Sequence, residues 1–359
     1  MALPAGSTIG ILGGGQLGRM LALAAAKLGY RTIIFDPDTK APAAQVANDH
    51  VIEGYDDHQA LLGFARRCDV VTYEFENVPV DAARVIEATT PVRPGSQALE
   101  AAQDRLIEKT FLNNAGIETA AFRTVDNDRD LLEALAEFGG NGVLKTRRLG
   151  YDGKGQRVFT TSSALQTDGV CESFGGAPLI LEGFVHFERE ISVIAARGQD
   201  GEIKVFDPAE NVHLNGILHT STVPASCSKE TQESAVASAS AILEALSYVG
   251  VIGVEFFVLP DGSLLANEIA PRVHNSGHWT EAACPVSQFD QHIRAVAGLP
   301  LGGTGRHSDC VMENLVGEDI NRIKELCRED GVVVHHYGKT EARPGRKMGH
   351  FTRLMARQD

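Results

Sequence analysis

The chain has 359 residues, 43% hydrophobic and 22% charged, with 33 Lys and Arg against 47 Asp and Glu for a net charge of −14. That length exceeds one ordinary core and predicts two or three domains, while the acidic balance excludes nucleic acid as a general partner. No apolar run approaches the ~20 residues of a membrane span, and Met1-Ala-Leu-Pro-Ala-Gly-Ser lacks a secretory signal's basic flank and apolar core, which predicts a cytoplasmic protein with no membrane partner. Six cysteines without C-x-x-C spacing read as reduced, mostly buried thiols.

The N-terminal part alternates apolar runs at 8–12, 31–35 and 69–75 with helical patterns at 16–28 and 58–67, the rhythm of a parallel sheet. Between the first strand and helix stands Gly13-Gly14-Gly15-Gln16-Leu17-Gly18, and Asp36 ends the second strand. Alone, that pattern says NAD and a dehydrogenase. Its backbone N–H groups at a helix N-terminus nevertheless suit any phosphate. A helical linker is expected over 96–114, carrying Asp104-Arg105 and Glu108-Lys109. Then come a strand at 122–125, a helix at 128–138 and a strand at 142–145 ending in Lys145. The basic, glycine-rich run from Thr146 to Gln156 follows, with strands at 157–160 and 179–184 beyond it. No G-x-x-x-x-G-K-[ST] sequence is present, so a nucleotide site here is not a P-loop. After Glu190, β patterns at 191–196 and 203–206 precede an Ala/Ser-rich helix at 229–248.

The segment from Gly253 to Trp279 is the most informative. Apolar β-formers flank Pro260-Asp261-Gly262-Ser263, and a type I′ turn centred on Asp261-Gly262 pairs Val258 with Leu265, Phe256 with Asn267 and Glu255 with Glu268. Opposed carboxylates about 5 Å apart at Cβ destabilise a sheet, unless one or two divalent cations turn repulsion into coordination. Arg272, His274, Asn275, Ser276, His278 and Trp279 then crowd a polar loop anchored on the carboxylate-bearing strand. Lys145, the loop at 151–156 and the Glu255/Glu268 pair together supply cation, backbone donors and metal for nucleotide phosphates.

This arrangement resembles the ATP-grasp carboxylate–amine ligases. GGGQLGRM (13–20), YEFENV (73–78), YDGKGQ (151–156), NEIAPRVHNSGHWT (267–280) and RPGRKMGH (343–350) resemble, within them, the 5-(carboxyamino)imidazole ribonucleotide synthases of purine biosynthesis. The resemblance runs from about residue 8 to 353. It implies an α/β ATP-grasp fold: a Rossmann-like pre-ATP-grasp domain at 1–98, a linker and lid at 99–186, and at 187–359 a larger mixed-sheet domain with a C-terminal β extension. It implies ligation of bicarbonate to 5-aminoimidazole ribonucleotide through carboxyphosphate, with ATP and one or two Mg²⁺, for which Mn²⁺ can substitute. By the same resemblance Arg105, Lys145 and the loop Tyr151, Asp152, Gly153, Lys154, Gly155 and Gln156 would meet ATP. Glu182, Gly183, Phe184, Val185 and Glu190 would hold its adenosine with His213 nearby, and Asn267 would stand beside the metal ligands Glu255 and Glu268. Arg272, His274, Asn275 and Ser276 would seat bicarbonate and carboxyphosphate, with Tyr151 and Lys154 also at the reaction centre. The ribonucleotide would meet Glu74, Tyr151 and Asp152 at its base, and Gln16, Leu17, Lys339 and Arg346 toward its 5′-phosphate, giving the glycine-rich loop a mononucleotide phosphate rather than NAD. A homodimer is the family-based expectation. Two departures stand out: Asn267 precedes Glu268 where many ATP-grasp members have Glu-x-Asn, and Val273 stands where the loop would be expected to carry proline. Another ATP-grasp ligase, a dehydrogenase and a non-catalytic nucleotide-binding regulator remain as alternatives.

Overall fold

In the computed structural model, which describes residues 2–150, 155–163 and 166–358, three sheets carry the chain. The first contains β1 (Thr8–Leu12), β2 (Arg31–Phe35), β3 (Asp49–Val51) and β4 (Val70–Tyr73), all parallel in the order β3-β2-β1-β4. Ile9, Ile11, Leu12, Ile34 and Phe35 are fully buried, as a sheet covered on both faces requires. Helix Gln16–Lys27 follows β1, and Glu74 stands just past the end of β4.

The second sheet is antiparallel: β5 (Phe122–Val125), β6 (Gly142–Thr146), β7 (Gln156–Phe159) and β8 (Leu179–Gly183) in the order β5-β8-β6-β7. Helix Asp128–Glu137 packs Leu131, Ala134 and Leu135 into this unit's own core, and Asn127 caps it by accepting from the amides of Arg129 and Asp130. The linker is two helices, Ser96–Ala102 and Arg105–Asn114, rather than one. Asp104 divides them because its carboxylate accepts from the Leu106 amide, capping the second helix, and is held there by Arg147 and Arg148.

The third sheet has nine strands: β9 (Arg189–Arg197), β10 (Ile203–Val205), β11 (Ala209–Leu214), β12 (Ile217–Val223), β13 (Gly250–Val258), β14 (Leu264–Ala270), β15 (Asp309–Val316), β16 (Val332–His336) and β17 (Lys347–Met355). The order is β14-β13-β9-β11-β12-β15-β17-β16, with β10 pairing β9 separately. The strand pairings of this sheet are antiparallel, which corrects the expectation of a mixed sheet; a single parallel bridge joins Thr119 to Ala266. The C-terminal strands extend the central sheet through β12 and β15, so the tail shares its scaffold with the glutamate hairpin. All six cysteines are free, but only Cys284 and Cys310 are buried; the expectation of mostly buried thiols fails for the other four.

Candidate active site

The hairpin reaches the predicted carboxylate pairing by an unpredicted route. Gly262 donates its amide to the Leu259 carbonyl (2.9 Å) and alone takes positive φ (+85°), while Leu259 N donates to Ser263 O. This is a type I turn with Pro260 at its second position and a glycine bulge after it, not a type I′ turn. The longer loop shifts the register by one, pairing Val258 with Leu264 and Phe256 with Ala266 in place of the predicted Leu265 and Asn267. A bulge at Asn267 absorbs the extra residue, and beyond it Glu255 faces Glu268. Burial, and then the charge of Glu268, push the Glu255 carboxyl up to about 7.

These glutamates line a cleft of about 490 Å³ between the three sheets. Lys145 enters it from β6, and Arg105 comes from the start of its helix to lie 3.5 Å from Glu268. Gln16, Leu17, Gln156, Asn267 and the Arg272 loop also line it. Glu190 and His213 pair at 3.0 Å, and with Glu255 they place ligand atoms within 4.8 Å of one another. Burial opposes the charged form of His213, but Glu190, joined by Glu255 and Glu268, raises its pKa.

Arg272 pairs with Glu76, which keeps its guanidinium charged despite burial. His274 is neutral, driven well below its ordinary pKa by burial and by Arg272; its Nε2 lies 3.5 Å from Glu255. Asn275 lines the cleft, and neither polar atom of its buried amide has a hydrogen-bond partner among the described residues. That amide is open to a ligand. Ser276 is different: it is fully buried, its hydroxyl accepts from Ser192 (2.7 Å) and meets His274 Nδ1 (2.8 Å). It orients His274 rather than facing a substrate, a correction forced by the tight turn of Asn275–Gly277.

The predicted adenosine residues divide. Glu182 is buried beneath the cleft, 2.9 Å from Lys145 and 3.3 Å from Lys109; burial works against its charge, yet the two ammonium groups hold it at about 2. Its Oε2 is committed to the two lysines, while its buried Oε1 has no hydrogen-bond partner among the described residues. Gly183 bonds through its amide to Ala121 O, Phe184 is exposed and Val185 half-buried at the end of β8. Tyr151, Asp152, Gly153 and Lys154 lie outside the described residues, while Gly155 is a turn residue immediately before β7 whose carbonyl accepts from the Thr146 amide (2.8 Å).

At the N-terminal loop, the phosphate expectation meets a competitor. Glu74 accepts from the amides of Gly15 (2.6 Å) and Gly18 (2.8 Å), and Asp36 from Gly14 (2.6 Å). Those backbone donors are committed to the chain's own carboxylates, and Asp36 is a loop cap rather than a ribose ligand. Any side chain at position 15 would place its Cβ 2.5 Å from Glu74. Gln16 instead meets the ammonium of Lys339, which also donates to Lys347 O; burial lowers the Lys339 pKa to about 8. Arg346 is half-buried beside them and donates to Glu341 O (3.0 Å).

Several contributors had no assigned role in the sequence reading. Glu76, inside YEFENV, was within reach as a neighbour of an assigned residue. Glu108, Lys109 and Gln288 were not, because their partners are distant in sequence: Glu108 accepts from Ile269 N (2.7 Å), and Gln288 brackets the backbone N–H and C=O of His274 (2.9 and 2.7 Å). Phe187, stacked on Phe257 at 4.6 Å, gives the cleft an aromatic wall.

A lysine strand facing a carboxylate hairpin across one cleft, with an antiparallel lid between a parallel sheet and a large antiparallel one, defines an ATP-grasp protein. Family models agree in order along the chain: the ribonucleotide synthetase preATP-grasp domain over residues 6–103, the ATP-grasp domain over 110–289 and the phosphoribosylaminoimidazole carboxylase C-terminal domain over 310–359. An N5-carboxyaminoimidazole ribonucleotide synthase of Brucella melitensis is 60% identical over 99% of this chain and 98% of its own length, and one of Bacillus subtilis is 42% identical over 99% and 93%. A crystal structure of an ADP complex of N5-carboxyaminoimidazole ribonucleotide synthetase is 45% identical, covering 99% of this chain and 94% of that one with a TM-score of 0.95. The Aspergillus clavatus synthase in complex with ADP and 5-aminoimidazole ribonucleotide is 30% identical, with 98% and 94% coverage and a TM-score of 0.90. The chain belongs to the N5-carboxyaminoimidazole ribonucleotide synthase family, and with it to the ATP-grasp ligases.

Proposed function

We propose that this chain ligates bicarbonate to the exocyclic amine of 5-aminoimidazole ribonucleotide at the expense of ATP, giving the N-carboxylated ribonucleotide, ADP and phosphate. The observation that carries the reading is the convergence of Lys145, the Glu255/Glu268 pair and the Arg272–Asn275 loop on one cleft. Lys145 and Arg105 would meet the triphosphate. Phe187 and Phe257 would flank the base. The opposed glutamates fit a divalent cation, because the repulsion that lifts the Glu255 carboxyl is what coordination removes. Mg²⁺ bound there would neutralise charge on the phosphate oxygens.

In the first step a bicarbonate oxygen takes the γ-phosphoryl group and ADP leaves. Arg272 and the open amide of Asn275 are fixed donors for the growing oxyanion charge, and neutral His274, held by Ser276 and Gln288, can donate or accept without adding charge. In the second step the amine forms its N–C bond to the carboxyl carbon as phosphate departs, and the nitrogen loses a proton. Lys339, Gln16 and Arg346 would seat the 5′-phosphate through side chains, since the glycine-loop amides are occupied. ADP release measured with bicarbonate, then with the ribonucleotide added, tests the assignment: release that ignores the ribonucleotide rejects this acceptor. The reading includes a homodimer, checked by sedimentation, and a cytoplasmic location; no helix among the described residues is long and apolar enough to cross a membrane.

A further inference from the structure

Lys109 is the most deeply buried cation among the described residues, with no exposed surface, and the reaction just proposed gives it no substrate to touch. It projects from helix Arg105–Asn114 toward two places: 3.3 Å from Glu182 Oε2 on β8 and 3.4 Å from the Asn267 carbonyl on β14. Lys145 contacts the same carboxylate oxygen at 2.9 Å. Glu182 Oε1 has no hydrogen-bond partner among the described residues, so these two lysines are the whole of the compensation that this carboxylate receives through hydrogen bonds and ion pairs.

The lysines differ in access. The Lys145 side chain is 14% exposed and lines the cleft, whereas Lys109 is sealed behind it. When a triphosphate enters, Lys145 can reach it only by turning from Glu182. With one lysine, that turn would strand a buried carboxylate, and an uncompensated buried charge is strongly unfavourable. With two, Glu182 keeps a partner while Lys145 moves.

We propose that Lys109 is a positioning residue that retains Glu182 as its permanent counter-ion and so releases Lys145 to bind nucleotide phosphates. The proposal rests on the reading of Lys145 as the phosphate lysine. Glu182 then acts as a parking place that holds Lys145 extended toward the cleft when no nucleotide is bound, and Lys109 sets how weakly it is held. The contact from Lys109 to Asn267 O ties the same ammonium to the bulge beside Glu268, so the lid sheet and the hairpin share one anchor.

The test is a double-mutant cycle read by ADP and ATP affinity, measured by calorimetry on the full chain, alongside KM values and thermal unfolding. Lys109→Met should weaken ATP and ADP binding at least tenfold, raise KM for ATP in parallel and leave KM for the ribonucleotide within twofold. Adding Glu182→Gln to Lys109→Met should recover most of the lost affinity, because Lys145 no longer has a carboxylate to abandon. Lys109 serving only to stabilise the fold predicts a lower unfolding temperature in Lys109→Met with nucleotide affinity per folded molecule unchanged. Nucleotide affinity unchanged in Lys109→Met, or a double variant that binds no tighter than the single one, overturns the proposal. If Lys109→Met is too unstable to assay, the comparison of the double variant with Glu182→Gln decides: equal affinities support the proposal, and a tenfold deficit in the double variant refutes it. Lys145→Met separates the layers. Unchanged nucleotide binding there sinks the reading of the site, while weakened binding there with intact binding in Lys109→Met sinks only the role of Lys109.

Discussion

Replacing Glu268 with Gln should change stability with opposite sign at two pH values when divalent ions are chelated. Two unit charges about 5 Å apart at an effective dielectric of 20 repel by about 3 kcal/mol. The Glu268 side chain is 40% exposed, and screening by solvent reduces the repulsion to about 1–2 kcal/mol. The substitution also loses the 3.5 Å contact with Arg105, at most about 1 kcal/mol at such exposure. Glu255 decides the pH window, since burial and the Glu268 charge raise its carboxyl from 4.5 to about 7. A carboxyl whose folded pKa lies above its unfolded one removes stability as pH climbs between the two values, and that loss is complete above the folded pKa. At pH 5.5 Glu255 is neutral, no repulsion exists to relieve, and the variant should be up to about 1 kcal/mol less stable. At pH 8.5 Glu255 is ionised in the native protein, and the variant should be about 1 kcal/mol more stable. Urea unfolding in EDTA at both pH values measures the difference, and Mg²⁺ should then stabilise the native protein more than the variant. Turnover should fall about 100-fold or more. Equal effects on stability at the two pH values would refute the electrostatic account of the hairpin.

Arg272→Met should cost about 2 kcal/mol by leaving the Glu76 carboxylate without its ion pair; adding Glu76→Gln should restore the urea midpoint without restoring turnover, which a purely structural pair would restore. Arg346→Ala should raise KM for the ribonucleotide about tenfold, the size of one charge-assisted contact, with KM for ATP unchanged; parallel shifts in both would remove it from the phosphate site. In the native enzyme the same KM should climb above pH 8, where Lys339, lowered to about 8, loses its proton. Gly262→Ala should lower stability by about 1 kcal/mol, because φ is +85° and the new Cβ would lie 3.2 Å from Thr231 Oγ1; activity per folded molecule should be near normal, and an unchanged melting temperature would contradict the turn assignment.

The hairpin shows how far sequence reasoning reaches and why it stops. The opposition of Glu255 and Glu268 was legible because side chains alternate with a period of two and the turn is short. The pairs nearer the turn were not, because a one-residue difference in loop length and a one-residue bulge cancel only beyond Asn267. The strand carrying Lys145 and the βαβ rhythm were similarly legible from local hydrophobic pattern. Ser276 and Glu182 could be named but not oriented, since both belong to conspicuous motifs while their side chains turn inward to Ser192 and to Lys109.

Local pattern thus determined β1, β2 and β4, the four strands of the second sheet, the acidic hairpin and its neighbour β9 in the third, and the family, since each depends on residues within a turn or a strand of one another; β11, β12 and the C-terminal strands of the third sheet were not legible that way. Tertiary packing decided what each polar group does. Which carboxylates face a ligand and which are consumed inside the chain, as Glu74 is by the Gly15 and Gly18 amides and Glu182 by two lysines, depends on partners between 37 and 73 residues away in sequence. Burial then sets the strength of those contacts, and burial has no signature in the sequence around a single charged residue.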